Sequence, residues 1–304
     1  QNLRGSIDSA ERKELLDICT EIVFISNWIK KRFFTNVEDI KNNSKIIYHG
    51  VDKKFKINVN KKKKQILFVG KLNENKGYDI FVEAAEKFKK NNKDWNFIAI
   101  GNESRKKIFP DKSIVNEIGY KSNKEVLKYY ENSEIAIGNS KWNEPLGRIA
   151  IEASSRKCCP IITNVGGLIE SKNIAIVLKE NTSKNIIKIL NRITKNKKYL
   201  RKLQNTFYNK NNFNIHKISS LIDDVRSKIL LENFSLNYNN IKILHITNLN
   251  ERHNGRLFYN TGRRINNGLI KLNHKVLTLS DRDLLTNYKT LTDVTGSKKL
   301  NSIF

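Results

Sequence analysis

The stretch QILFVGKLNENKGYDIFVEAAEKFKKN, residues 65–91, decides the fold. Its first part, QILFVG (65–70), is a short apolar run ending in glycine. A run without polar alternation is the pattern of a parallel strand covered on both faces. GYDIFVEAAEKFKKN (77–91) places Ile80, Phe81, Ala84, Ala85 and Phe88 at helical spacing. Between the two lies a polar turn, GKLNENKG (70–77). The unit then recurs. WNFIAIG (95–101), IVNEIGY (114–120), EIAIGNS (134–140) and CPIITNVGG (159–167) read as strands. NKEVLKYYENS (123–133) and EPLGRIAIEASSRK (144–157) read as helices, and SKNIIKILNRITKN (183–196) with its neighbours as a terminal helix pair. Strand and helix alternating with short loops predict an α/β fold, a doubly wound parallel sheet. Ligands in such sheets bind beyond the carboxyl ends of the strands. Gly70, Gly101, Ser140 and Gly166-Gly167 all follow strands and are expected along one rim.

The flanks carry partial α/β segments. EIVFISNWIKKRFF (21–34) gives a strand and a helix start, and SKIIYHGVD (44–52) another strand. Residues 1–52 are too few for a whole domain and read as the tail of a preceding lobe. Residues 53–64 read as a linker whose run Lys61-Lys62-Lys63-Lys64 is solvated. The central domain is expected over 65–206, a C-terminal helix over 207–232 and a polar linker over 233–240. A fresh strand, IKILHITNL (241–249), a glycine loop (Glu251 to Gly255), a helix near 258–272 and the strand HKVLTLS (274–280) open another lobe over 241–304.

Composition bounds the function. A chain of 304 residues accommodates about two domains. With 38% hydrophobic and 29% charged residues it suits soluble globular material, and no stretch approaches transmembrane length. The polar opening, QNLRGSIDSAERKELL, does not read as a secretory signal, and the absence of Met predicts a missing beginning. Cys19, Cys158 and Cys159 are too few and too badly spaced for a disulfide framework or a zinc site. Cys158 and Cys159 read as small core residues, and a reducing cytoplasm fits. The five histidines (49, 216, 245, 253, 274) form no metal-ligand pattern; only His253, in the second glycine loop, reads as a candidate acceptor-side group. The net charge of +27 raises nucleic-acid binding, but the lysines are spread along the chain rather than gathered on one element. Attraction to an anionic membrane surface, on its inner face, is the better-supported expectation.

Chemistry concentrates in EPLGRIAIE (144–152), which carries Glu144 and Glu152. Eight residues of helix climb about 12 Å and turn a net 80° or so, leaving both acids toward one side. One ligand meets both only if it is long and bent, as a nucleoside diphosphate sugar is. Carboxylates accept hydrogen bonds from sugar hydroxyls. Pro145 suits a first helical position. Gly147 lets backbone approach, so that helix-start N–H groups face a diphosphate. Lys71 and Lys76 flank the turn 70–77, where an ammonium pair neutralises a leaving diphosphate without a metal. Each feature alone also reads as solvated surface or a plain turn; their order is what carries weight.

That order resembles a known family. GKLNENKG, IGN (100–102), IGY (118–120), NSKWNEPLGRIAIEA and PIITNVGGLIE look like the C-terminal, Rossmann-like donor-binding domain of family 4 glycosyltransferases, retaining enzymes of the GT-B fold. The likeness spans about 65–230. FISNW and IYHGVD resemble the end of an acceptor lobe and the hinge, and residues 241–280 the start of a second N-terminal lobe. The resemblance implies that Glu144 holds donor-sugar hydroxyls, Glu152 the ribose diol, and Lys71 and Lys76 the diphosphate. It implies that Leu146 and Gly147 support the phosphate or sugar through their backbone, and that Gly70 and Ser140 lie at the donor-side strand ends. No cofactor or metal is implied; the donor is a nucleotide diphosphate sugar and the acceptor a glycan or a lipid-linked hydroxyl. Lys71 stands where the family usually carries Arg, His49 where Asn is common, and Lys157 where glycine usually ends the helix. If that last position is left-handed, Lys157 costs about 1 kcal/mol. A non-catalytic scaffold built on the same fold is the alternative reading, and a basic nucleic-acid binder a third.

Overall fold

The structure is a computed structural model that describes residues 9–38, 43–102, 111–233, 242–247 and 261–280. The chain enters through α1 (Ser9–Ile18), β1 (Ile22–Phe24), α2 (Asn27–Phe33) and β2 (Ser44–Ile46), with β1 and β2 paired in parallel. Leu16, Phe24, Phe33 and Val37 make a small core of their own.

The central sheet follows: β3 (Lys63–Val69), β4 (Asn96–Ile100), β5 (Val115–Glu117), β6 (Ser133–Gly138), β7 (Cys159–Ile162) and β8 (Ile176–Val177). Among the described residues it has six strands in the order β5-β4-β3-β6-β7-β8, all parallel. The direction of winding reverses between β3 and β6, where the loops leaving the strands diverge and open a crevice. Helices α3 (Tyr78–Lys89), α4 (Asn123–Asn132), α5 (Arg148–Ser155), α6 (Ser183–Lys195) and α7 (Lys197–Lys210) cover the sheet. β3 shows why it was legible as a run: Ile66 and Phe68 pack into the core that includes Tyr78, Phe81 and Ile186, while Leu67 packs into the opposite core with Val126 and Ala153. Each such side chain contributes about 2 kcal/mol on burial. Cys158 and Cys159 are buried, with burial pushing the Cys158 thiol up to about 12, as expected of core residues.

Three boundaries differ from expectation. β3 begins at Lys63, and Lys62 is buried rather than solvated. Its Nζ donates to the carbonyls of Tyr130, Glu131 and Ser133 at 2.9, 2.6 and 2.9 Å, capping the end of α4. Burial lowers this ammonium to about 8, so it destabilises the fold below that pH and the cost fades as pH rises toward the ordinary lysine value. Residue 207, expected to begin the C-terminal helix, lies inside α7, where Phe207 and Tyr208 are buried. Residues 144–147 are loop, and α5 starts only at Arg148 because Gly147 is left-handed (φ 75°, ψ 88°).

The helix α8 (Ile215–Asn233) returns to the entry segment, with Ile218 and Val225 packed on Ile47. Val51 N donates to Phe213 O at 2.8 Å and Ile215 N to Val51 O at 3.1 Å, so the 47–52 segment is tied to the start of α8. These residues lie in one unit, 1–229; residues 230–304 form a second. In the second, β9 (Lys242–Thr247), α9 (Thr261–Lys271) and β10 (Lys275–Ser280) follow the expected strand–helix–strand order, with the strands parallel. The linker 234–240, the loop 251–255 and His253 lie outside the described residues. Among the described residues no helix is long and apolar enough to cross a membrane.

Lys157 closes α5 with φ 51°, in the left-handed region that its sequence context implied. Lys157→Gly is therefore expected to stabilise the protein by about 0.5–1 kcal/mol, the loss of the Lys157 contact over the Tyr208 ring (5.0 Å) being the opposing effect. Urea unfolding measures it; a destabilised variant would refute the strain argument.

Candidate functional site

A cleft of about 240 Å³ opens where β3 and β6 part. Phe68, Val69 and Gly70 from β3 and its exit, and Gly138 and Ser140 from β6 and its exit, form its floor. Lys76, Glu144, Gly147, Arg148, Glu152, Tyr130 and Leu168 line its sides.

Lys76 reaches the cleft because its turn is clamped. Asn73 Oδ1 accepts from Lys76 N at 3.1 Å. Asn139 Nδ2 donates to Gly77 O at 2.7 Å, and the N–H groups of Lys141 and Trp142 both donate to Asn75 O at 2.9 Å. The Ser140 hydroxyl also donates to Asn75 O (3.2 Å), so it serves the clamp while its residue lines the cleft. The Lys76 ammonium then lies 2.5 Å from Glu144 Oε1, with both side chains half-buried or better.

Glu144 is held by its loop, not by a helix. Gly167 N donates to Glu144 O at 2.6 Å. A β-carbon at 167 would fall 2.2 Å from Pro145 O, and one at 147 would fall 2.4 Å from Leu168 Cδ1. The glycine pair in VGGLIE is thus required by close approach to the 144–147 loop. Leu146 is a core side chain, 2% exposed, that pins this loop from beneath; only its backbone can face a ligand.

The loop is also braced from the entry segment. Ser26 Oγ donates to Pro145 O at 2.5 Å and accepts from Ile29 N, capping α2. Glu170 accepts from the N–H groups of Asn27 (3.0 Å) and Trp28 (2.7 Å) and from Tyr48 Oη (2.8 Å). Its charge also complements the positive end of that helix.

Glu152, about one turn into α5, is buried. Its Oε1 accepts from Asn123 Nδ2 at 3.2 Å and is paired with Arg148 Nη2 at 2.8 Å. Burial raises this carboxyl, with Arg148, Asn123 and Arg156 opposing. Tyr130 Oη, beside it, is buried without a hydrogen-bond partner, and burial pushes it well above the ordinary phenol value.

Of the residues expected from sequence, Gly70, Lys76, Ser140, Glu144, Gly147 and Glu152 converge on this cleft. Lys71 and Leu146 do not: Lys71 is exposed, Leu146 is buried in the core, and neither lines the cleft. Arg148, Asn123 and Tyr130 were missed. Arg148 was detectable by its i,i+4 spacing to Glu152; Asn123 and Tyr130 arrive from α4, and no local pattern announces them.

Comparison with known proteins identifies the family and the fold. The family model described as glycosyl transferases group 1 matches residues 51–210, more than half of the chain. The spore coat protein SA of Bacillus subtilis (strain 168) is 25% identical over 195 residues, covering 53% of this chain and 51% of its own. A putative glycosyltransferase of the same organism, YtcC, is 24% identical over 195 residues, covering 52% and 46%. The chain spans about half the length of the curated relatives it matches. The crystal structure of Anabaena Alr3699/HepE in complex with UDP superposes with a TM-score of 0.60 at 14% identity, over 73% of this chain and 69% of that one. At that identity the likeness establishes the fold, GT-B in type.

Two outcomes are expected of the site's electrostatics. A carboxyl raised by burial contributes stability below its unfolded value, and that contribution is lost as pH rises through the folded one. Glu152→Gln is therefore expected to raise the Tm at pH 7, with the advantage vanishing in acid; an unchanged or lower Tm at pH 7 would contradict it. Glu170→Ala strands two N–H groups and a phenol, and a loss of about 2 kcal/mol is expected in urea unfolding.

Proposed function

The chain belongs to the glycosyl transferases group 1, and from that premise we propose that its cleft binds a nucleoside diphosphate sugar whose sugar is transferred to an acceptor hydroxyl with retention of anomeric configuration. The observation that carries this reading is the gathering of Lys76, Glu144 and Glu152 on one cleft at the point where the sheet's winding reverses.

The roles follow from position. Glu152, deepest of the three, accepts the ribose hydroxyls. Glu144, at the rim, accepts hydroxyls of the sugar. Lys76 is paired with Glu144; a diphosphate offers Lys76 more negative charge and leaves Glu144 to the sugar. Backbone N–H groups at the start of α5 face the same phosphates. In transfer the sugar becomes oxocarbenium-like as the diphosphate departs, and negative charge grows on the leaving oxygens. Lys76 stabilises that charge where it develops, so its contribution is larger in the transition state than in the bound ground state. Lys71 joins only if its exposed side chain swings inward. The chemistry needs no metal in this scheme. Likeness to the Anabaena protein solved with UDP favours a uridine diphosphate carrier. The motif order supports family 4, with a glycan or lipid-linked acceptor, and polysaccharide or glycolipid synthesis as the setting. A net charge of +27 supports contact with an anionic membrane face.

Calorimetry with UDP, GDP, ADP and CDP tests the reading. One of them is expected to bind, and Lys76→Ala to weaken it about tenfold or more, the worth of a charged hydrogen bond. No binding by any of the four would sink it. Transfer by a Glu144→Ala variant at the wild-type rate would favour a scaffold that keeps the fold without the chemistry.

A further inference from the structure

We infer that Arg148 is a positioning residue of the donor site: its guanidinium holds the Glu152 carboxylate charged and aimed into the cleft, ready for a diol. This rests on the donor reading given above and deepens it.

The placement of Arg148 is hard to explain otherwise. It is the first residue of α5, where the helix dipole disfavours a cation. A residue that contradicts local preference in a cleft suggests a role there. Its side chain is half exposed, so its own charge costs little, while its partner's is 9% exposed. An i,i+4 pair in water contributes only a few tenths of a kcal/mol. Here one member sits in low dielectric, where an opposite charge at 2.8 Å weighs more.

The groups around Glu152 leave that task mainly to Arg148. From α4, Asn123 donates one neutral hydrogen bond (3.2 Å), and Tyr130 brings a hydroxyl that carries no charge at neutral pH. Arg156, at the end of α5, is committed elsewhere: its guanidinium donates to Asp52 O and to Ser155 O. His49, from the 44–52 segment, lies near enough to Arg148 that the guanidinium depresses its protonation, after burial; it adds no cation at neutral pH. Removing Arg148 therefore leaves a buried acid opposed by one amide and a distant guanidinium. Burial then favours the protonated form. A protonated carboxyl has lost the paired acceptor oxygens that a ribose diol engages.

The test combines a titration and a binding profile on the full chain. Carboxyl-carbon NMR of unliganded wild type, Arg148→Gln and Arg148→Lys follows Glu152 directly. Arg148→Gln is expected to move its midpoint up by about one pH unit, a tenfold change in protonation equilibrium, and Arg148→Lys to restore most of it. Calorimetry with UDP, GDP, ADP and CDP between pH 5.5 and 8.5 reads the consequence. Arg148→Gln should bind near the wild-type level at the alkaline end and fall about tenfold further than wild type at the acid end. The matching 2′-deoxynucleotide should show less of that difference. An unmoved midpoint overturns the inference, as does affinity lost equally at every pH, which would make Arg148 a direct phosphate contact. Wild type binding none of the four nucleotides overturns the donor reading and the role with it, while the titration still reports the pair.

Discussion

A parallel sheet covered by helices on both faces leaves few places for polar chemistry. Ile66, Leu67, Phe68, Ile135, Ala136 and Ile137 are all at most 2% exposed, so the middles of β3 and β6 present only apolar side chains, and their polar residues, Lys63 to Gln65 and Ser133 to Glu134, lie at the strand starts. Polar groups are pushed to the strand exits, and where winding reverses those exits diverge. The loops of the cleft follow from this constraint: the turn 73–77 leaves β3, residues 139–147 leave β6, and Gly166 to Glu170 leave β7, while Tyr130 joins from α4 and Arg148 and Glu152 from α5. The three loops then hold one another. Asn75 O receives hydrogen bonds from 140–142, and Glu144 O receives one from Gly167. Backbone-to-backbone contacts of this kind fix atom positions more tightly than long side chains could, at little cost in side-chain entropy.

Charge is distributed within the cleft by the same logic. Each carboxylate has a cation in contact, Lys76 for Glu144 and Arg148 for Glu152. An acid brought into low dielectric without one would protonate and lose its capacity to accept from hydroxyls. The two pairs differ in depth. Glu144 shares a half-open rim with a flexible ammonium that can move to a better anion. Glu152 is nearly enclosed, so a ligand must be desolvated to reach it. A site built this way spends some fold stability on a charged, buried group, a common exchange at functional positions.

The strands and their order were legible because a strand buried on both faces writes itself as an apolar run with a glycine or polar exit. α3, α4 and α6 were legible from their apolar period. The start of α5 was not. Pro145 resembles a first helical residue, yet Gly147 takes a left-handed backbone, and the Gly166-Gly167 pair presses against the intervening loop. That contact joins residues about twenty positions apart, and no local pattern encodes it. Lys62 failed for a related reason: within four consecutive lysines nothing distinguishes the one whose ammonium meets the last carbonyls of α4. Lys71 failed in the opposite direction, since membership of a motif does not specify where a long exposed side chain points. Of the six site residues that did converge, Gly70, Lys76, Ser140, Glu144 and Gly147 lie in loops that leave strands, and Glu152 is carried in by α5.

The entry segment is more than an appendage to this site. Ser26 and Glu170 face each other across the join between α2 and the motif loops: one side chain of α2's cap donates into the 144–147 loop, and one side chain after the glycine pair accepts from α2's first N–H groups. Tyr48, in the segment leading out of β2, adds a third bond to the same carboxylate. A shift of α2 therefore cannot leave Pro145 O and Glu170 both satisfied, and the loop that carries Glu144 must move with it. This makes Ser26, the start of α2 and Tyr48 a mechanical part of the cleft, because the position of the loop that carries Glu144 is set partly by a helix outside the sheet that supplies it.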